Sequence, residues 1–147
     1  MDIGSLDWVA GSVVANAGVA PVVTGVAVSG VTTVWSNAFK MMASRNFGCA
    51  VLCQGSNPVI QIQLEESLFD LKLNGYPLNA TNTLYVVPDA YPDIFSQIND
   101  NNWHFPAQPI TPIPAYHGRF KINGLSGNGS GVTVAIGLFR QESGRFL

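Results

Sequence analysis

Charge is what this chain has least of. Only 11% of its 147 residues are Asp, Glu, Lys or Arg, against about 25% in an average soluble domain. From Trp8 to Phe39 there is no charged side chain at all. The seven cations (Lys40, Arg45, Lys72, Arg119, Lys121, Arg140 and Arg145) are scattered, and the net charge is −2. That balance argues against a nucleic-acid binder, which needs a basic face to displace counterions from phosphates. Arg119 and Lys121 share one side of a strand and read as a solvated face.

Cysteine and histidine are nearly as scarce, with two of each. Cys49 and Cys53 lie four residues apart, roughly 13 Å along a strand, which is too far for a disulfide. They are expected as reduced core residues, the state a reducing cytoplasm maintains. His104 and His117 complete no common zinc spacing with them, so no metal and no cofactor is expected. A catalytic triad finds no Gly-x-Ser-x-Gly elbow. Glu65 and Glu66 are adjacent on a strand and point to opposite faces, which separates them as a carboxylate pair. Asp89 and Asp93 read as turn or helix-start residues. The chain is therefore not expected to be an enzyme. Asp2 and Asp7 stand where a signal peptide would be basic. The uncharged run is long enough for a membrane span, but Asn16, Pro21 and its glycines suit a sheet better than lipid.

What fills the space left by charge is Val, Gly, Ser, Thr, Asn and Pro, the composition of a turn-rich all-β protein. Residues 59–65 (VIQIQLE) alternate Ile60, Ile62 and Leu64 against Gln61, Gln63 and Glu65. One wet and one core face is the habit of an antiparallel sheet. Residues 22–28, 31–35, 69–74 and 83–87 read as further strands, with a turn at Ser29-Gly30. Residues 91–99 predict one short helix, with Ile94, Phe95 and Ile98 on one side and Pro92 in its first turn. Four prolines between Phe105 and Pro114 predict an extended segment outside any central strand. Residues 118–123 and 132–140 alternate around a Gly-rich loop and predict a long hairpin.

The expected fold is thus an antiparallel β-sandwich, jelly-roll-like. Residues 19–147 form its single domain, and residues 1–18 form either an arm over a neighbour or an edge strand. Residues 116–124 (YHGRFKING), the Gly/Asn loop and residues 132–138 (VTVAIGL) resemble the closing hairpin of small β-sandwich proteins in tailed-phage virions. Those proteins are capsid decoration (cement) or tail accessory subunits. The resemblance covers only the C-terminal stretch and carries over no catalytic residue. It implies a structural role in a virion, made and folded in a host cytoplasm. The implied partners are other copies of the chain, in a homo-oligomer such as a trimer, and a major capsid or tail protein. No nucleic acid or membrane is expected as a partner.

Large apolar stretches mark interaction surfaces, so Trp8, Val9, Val13 and Val14 are the expected partner contacts. A second reading is a carbohydrate-binding module. In residues 99–105 (NDNNWHF), Trp103 and His104, with Tyr91, would stack on sugar rings while Asn and Asp satisfy hydroxyls. Against it stands the reading that Trp103 and Phe105 plug one end of the sandwich and that the Asn/Asp run is a turn.

Overall fold

The computed structural model describes residues 6–15, 18–41, 44–73, 75, 84–87, 93–106, 110 and 115–142. Two five-stranded antiparallel sheets hold almost all of the regular structure. The first joins β1 (Asp7–Ala10), β4 (Val26–Ala27), β7 (Ser44–Gln54), β10 (Trp103–His104) and β12 (Thr133–Glu142), in the order β1-β12-β7-β10 with β4 also on β12. The second joins β5 (Thr33–Trp35), β6 (Phe39–Lys40), β8 (Ile60–Ser67), β9 (Phe95–Ile98) and β11 (His117–Gly124), in the order β5-β11-β8-β9 with β6 also on β11. A separate ribbon pairs β2 (Ser12–Val14) with β3 (Val22–Thr24).

β1 and β4 lie end to end along the same side of β12, and β5 and β6 lie likewise along β11. Counting each pair as one position leaves eight positions, which the sheets take in the orders 1-8-3-6 and 2-7-4-5. This is the strand order of a jelly roll, two interlocked Greek keys that close over one core.

The inward-facing residues are those the alternation marks. Ile60, Ile62 and Leu64 of β8 and Phe120 and Ile122 of β11 meet Cys49, Val51 and Cys53 of β7 and Val134, Ile136 and Leu138 of β12. Phe39, Phe47 and Phe120 close one end, with ring centroids 5.3 to 6.3 Å apart. Both cysteines are free and buried, and burial alone pushes the Cys49 thiol up to about 12. Cys53 is also pushed up to about 12, first by burial and then by the charge of Asp100. Neither forms a thiolate at neutral pH, so both act as small hydrophobes.

Four expectations are corrected. β11 and β12 do not form a hairpin: β11 pairs with β8 over eight residues and β12 with β7 over ten. Alternation fixes which face of a strand is apolar and says nothing about its neighbour. The two apolar faces here oppose each other across the core, and residues 125–132 carry the chain between the sheets.

The helix expected at 91–99 is also absent from its described part, where Phe95–Ile98 is an edge strand on β8. Ile60 pairs with Ile98 and Ile62 with Phe95, so β9 advances three residues where β8 advances two. The bulge places Phe95 and Ile98, three apart, on the same inward side, which imitates helical spacing. Residues 69–73 turn rather than extend, with Asp70 accepting a hydrogen bond from the Leu73 amide at 3.1 Å. Arg119, the fourth, is buried rather than solvated, as described below.

Asn128 ties three loops together at the other end of the sandwich. Its Nδ2 donates to the carbonyls of Val28 (2.9 Å) and Gly30 (2.8 Å), and its Oδ1 accepts from the Val59 amide (2.9 Å). The Gly-rich loop that holds it is therefore a structural clamp.

Candidate functional site

The uncharged N-terminal run does three different things. β1 is an edge strand of the first sheet. Val9 lies in the core and Val13 is buried, so neither is available to a partner while the fold is intact. Val14 is 59% exposed and faces outward from the ribbon beside Val22, its cross-strand partner, at 55%. Val19 adds a third exposed valine near the turn of the ribbon.

The ribbon is a detour in an edge strand. β1 pairs with β12 from Leu138 to Ile136, and β4 resumes at Val134 and Thr133. The chain leaves at Gly11 and returns at Gly25. Gly11 has φ +68, and a Cβ there would lie 2.2 Å from the Thr24 carbonyl oxygen and 2.9 Å from the Gly25 Cα. Only glycine allows this crossing. Residues 12–15 and 18–24 then form an uncharged two-stranded ribbon, with Val13 buried and Val14 and Val22 exposed.

Trp8 sits elsewhere, on the outward face of the first sheet. Its row runs Trp8–Gly137–Ala50, and the next row on that face runs Ala135–Leu52–Trp103. The two indoles start on opposite edges of the sheet and meet over the strands between, with ring centroids 6.0 Å apart and planes at 60°. A Cβ on Gly137 would lie 3.0 Å from the Trp8 ring and 3.0 Å from Leu6 Cδ1. Small residues at 50, 135 and 137 thus let the indoles lie against the sheet, and Ala50 and Ala135 are fully buried. One expected partner contact and one expected sugar contact turn out to be neighbours.

Trp103 and His104 do not converge, because adjacent strand residues point to opposite faces. His104 turns toward Phe95, with ring centroids 6.0 Å apart, and its Nε2 lies 2.7 Å from Asp100 Oδ1. That hydrogen bond, helped by the Asn102 amide, holds the Asp100 carboxyl below the usual range. Asn101 is committed to Gly55, accepting from its amide at 2.9 Å and donating to its carbonyl at 3.1 Å. Residues 99–102 are thus a turn that fastens two loops. Tyr91 lies outside the described residues. Among the described residues, no three potential ligands converge on a metal site.

Sequence reasoning missed the buried polar cluster on the outward face of the second sheet. Arg119 is 2% exposed. Its Nε donates to Glu65 Oε1 at 2.9 Å, and Trp35 Nε1 donates to the same oxygen at 2.8 Å. The guanidinium lies between two rings, 4.0 Å from the Tyr85 centroid and 5.2 Å from that of Trp35. Burial raises the Tyr85 phenol, against the opposing pull of Arg119. Next to it runs a ladder of amides: Asn123 donates to Gln61 (3.0 Å) and Gln63 (3.1 Å), and Gln63 donates to Asp93 (3.0 Å). The one sequence signal for the ion pair was opposite charge at matching positions of two alternating strands. These contacts order and cover the sheet, and they present no nucleophile or acid–base pair to a substrate.

No protein-family model matches the chain, and no curated protein is significantly similar to it in sequence.

Proposed function

We propose that the chain is a structural, non-enzymatic subunit of a virus particle, of the capsid decoration (cement) or tail accessory kind. It acts through contacts with copies of itself and with a major capsid or tail protein. The observation that carries this reading is the separate β2–β3 ribbon. It displays Val14, Val19 and Val22 to solvent and is free of charge along its whole length. Exposed apolar faces of this kind mark association surfaces; no charge guards this one, and its one proline, Pro21, stands just before β3 rather than within either strand. The jelly-roll architecture supports the reading as an analogy only, since viral capsid domains share it with lectins and cupins.

The test is light scattering on the full chain and on a Val14→Asp, Val22→Asp variant. The wild type is expected as a defined oligomer and the variant as a smaller species with an unchanged circular dichroism spectrum. Both positions are exposed, so the substitutions spare the core. Deleting residues 1–30 would be a poor substitute, because it strips β1 and β4 from the sheet. An oligomer indifferent to both charges would count against the ribbon as the contact.

The carbohydrate-binding alternative draws on the partly exposed Trp8–Trp103 pair. It finds less support because Asp100 and Asn101 already hold protein partners. No saturable quenching of tryptophan fluorescence is expected across a broad glycan panel. Quenching that disappears in Trp103→Ala would reverse the preference.

A further inference from the structure

The outward faces of the two sheets are of opposite kinds. On the second sheet, Gln61, Gln63 and Glu65 of β8 lie beside Arg119, Lys121 and Asn123 of β11. That is the polar cover expected of an antiparallel sheet whose other face is in the core. On the first sheet the alternation fails. Residues 47–53 (FGCAVLC) and 134–139 (VAIGLF) are apolar or glycine at every position, the pattern of strands covered on both faces. No charged side chain stands at the outward positions of β7 from Gly48 to Gln54, or of β12 from Thr133 to Phe139.

Trp8 and Trp103 cover only the middle of this face. One row further along lie Phe139 and Gly48, which are direct cross-strand partners. Phe139 is 40% exposed. Gly48 lies outside the left-handed region, and a Cβ there would meet nothing within 4 Å among the described residues. The phenyl ring therefore does not lie over its glycine neighbour. An exposed ring and an open floor stand side by side.

That arrangement fits a copy of itself. A two-fold axis between facing copies, parallel to the strands and midway between β7 and β12, sets each Phe139 over the partner's Gly48. The facing strands then run in line, as in aligned sheet packing. An isologous contact sets a face against itself, so any charge on it would meet its like, and this face has none. Strand rise and spacing give it on the order of 500 Å² per copy, which reaches the roughly 1,000 Å² in total that a specific interface needs.

We propose that a second copy of the chain covers this face, in a two-fold dimer in which each Phe139 packs on the partner's Gly48. The contact uses a different surface from the β2–β3 ribbon and does not depend on a role in a virus particle.

The experiment is sedimentation equilibrium on the full chain carrying Val14→Asp and Val22→Asp, which disables the ribbon. This parent is expected to dimerise with a Kd in roughly the micromolar range. Adding Phe139→Lys or Gly48→Leu is expected to weaken the dimer by roughly thirtyfold or more, the effect of losing an interface hot spot. Neither position is in the core, so the circular dichroism spectrum and the urea midpoint are expected to stay close to those of the parent. Gly48→Leu is the decisive variant. It adds apolar surface, so a merely adhesive face would associate more strongly, whereas the proposed contact loses its floor. A parent that stays monomeric at about a hundred times the expected Kd overturns the proposal. So does a dimer that either substitution leaves unchanged, or that Gly48→Leu strengthens. The ribbon test compares wild type with this parent, and the face test compares the parent with its derivatives, so either can fail alone.

Discussion

Replacing Arg119 with alanine is expected to destabilise the protein by about 3–5 kcal/mol, the usual effect of breaking a buried ion pair from one side. Equilibrium urea unfolding measures it, and the thermal midpoint should fall by roughly 10 °C in a chain of this size. Glu65 is the reason. Its side chain is 7% exposed, and Arg119 at 3% is its charge partner at 2.9 Å. Without the guanidinium, a carboxylate stays buried with the Trp35 indole N–H as its remaining close donor among the described residues. Tyr85 and Trp35 also lose the cation between their rings, a further loss of about 1–2 kcal/mol where the contact is desolvated. Replacing both partners together separates the pair from the burial of either member. Arg119→Met with Glu65→Leu is expected to lie close to wild type, because an apolar pair of similar volume removes the desolvation cost as well as the attraction. A double variant as unstable as Arg119→Ala would show instead that the ion pair itself is strongly stabilising.

Asn128→Ala is expected to cost about 3 kcal/mol, since each buried partner left unsatisfied costs roughly 1–3 kcal/mol. One amide side chain serves the carbonyls of Val28 and Gly30 and the amide of Val59. These groups belong to the connection after β4, the connection into β8, and the loop between β11 and β12. The same urea titration reads the loss. Asn128→Asp is the sharper variant. It keeps the acceptor for Val59 but turns a carboxylate oxygen toward two carbonyls, so it is expected to be no better than alanine at neutral pH. An aspartate variant with wild-type stability would mean that the two donated bonds contribute nothing.

The alternation in β8, β11 and β12 was readable because each strand has one apolar and one polar face, and the inward set followed residue by residue. What did not follow was the pairing. β11 and β12 are near neighbours in sequence, yet they lie in different sheets, and the choice is made by β7 and β8, whose lengths match theirs. The spacing of Phe95 and Ile98 misled because one bulged residue turns a strand's period of two into a helix-like three. Burial of Arg119 and Glu65 was hidden for another reason. Their cover comes from Trp35 on β5 and from Tyr85, which stand far from both residues in the chain. The indoles of Trp8 and Trp103 illustrate the same limit, since nothing local signals that two strands of small residues will let them touch.

The way β1 stops at Gly11 and β4 resumes at Gly25 separates two demands that one strand usually carries together. Pairing with β12 is met on either side of the gap, and the two glycines meet the steric demand of the crossing. The β2–β3 ribbon therefore adds no strand to either sheet, although Val13 on it is buried. Selection, or a protein engineer, can rewrite its exposed positions Val14, Val19 and Val22 while the pairing of the two sheets stays as it is. The molecule thus keeps its core pairing and its rewritable outer face in separate stretches of one edge.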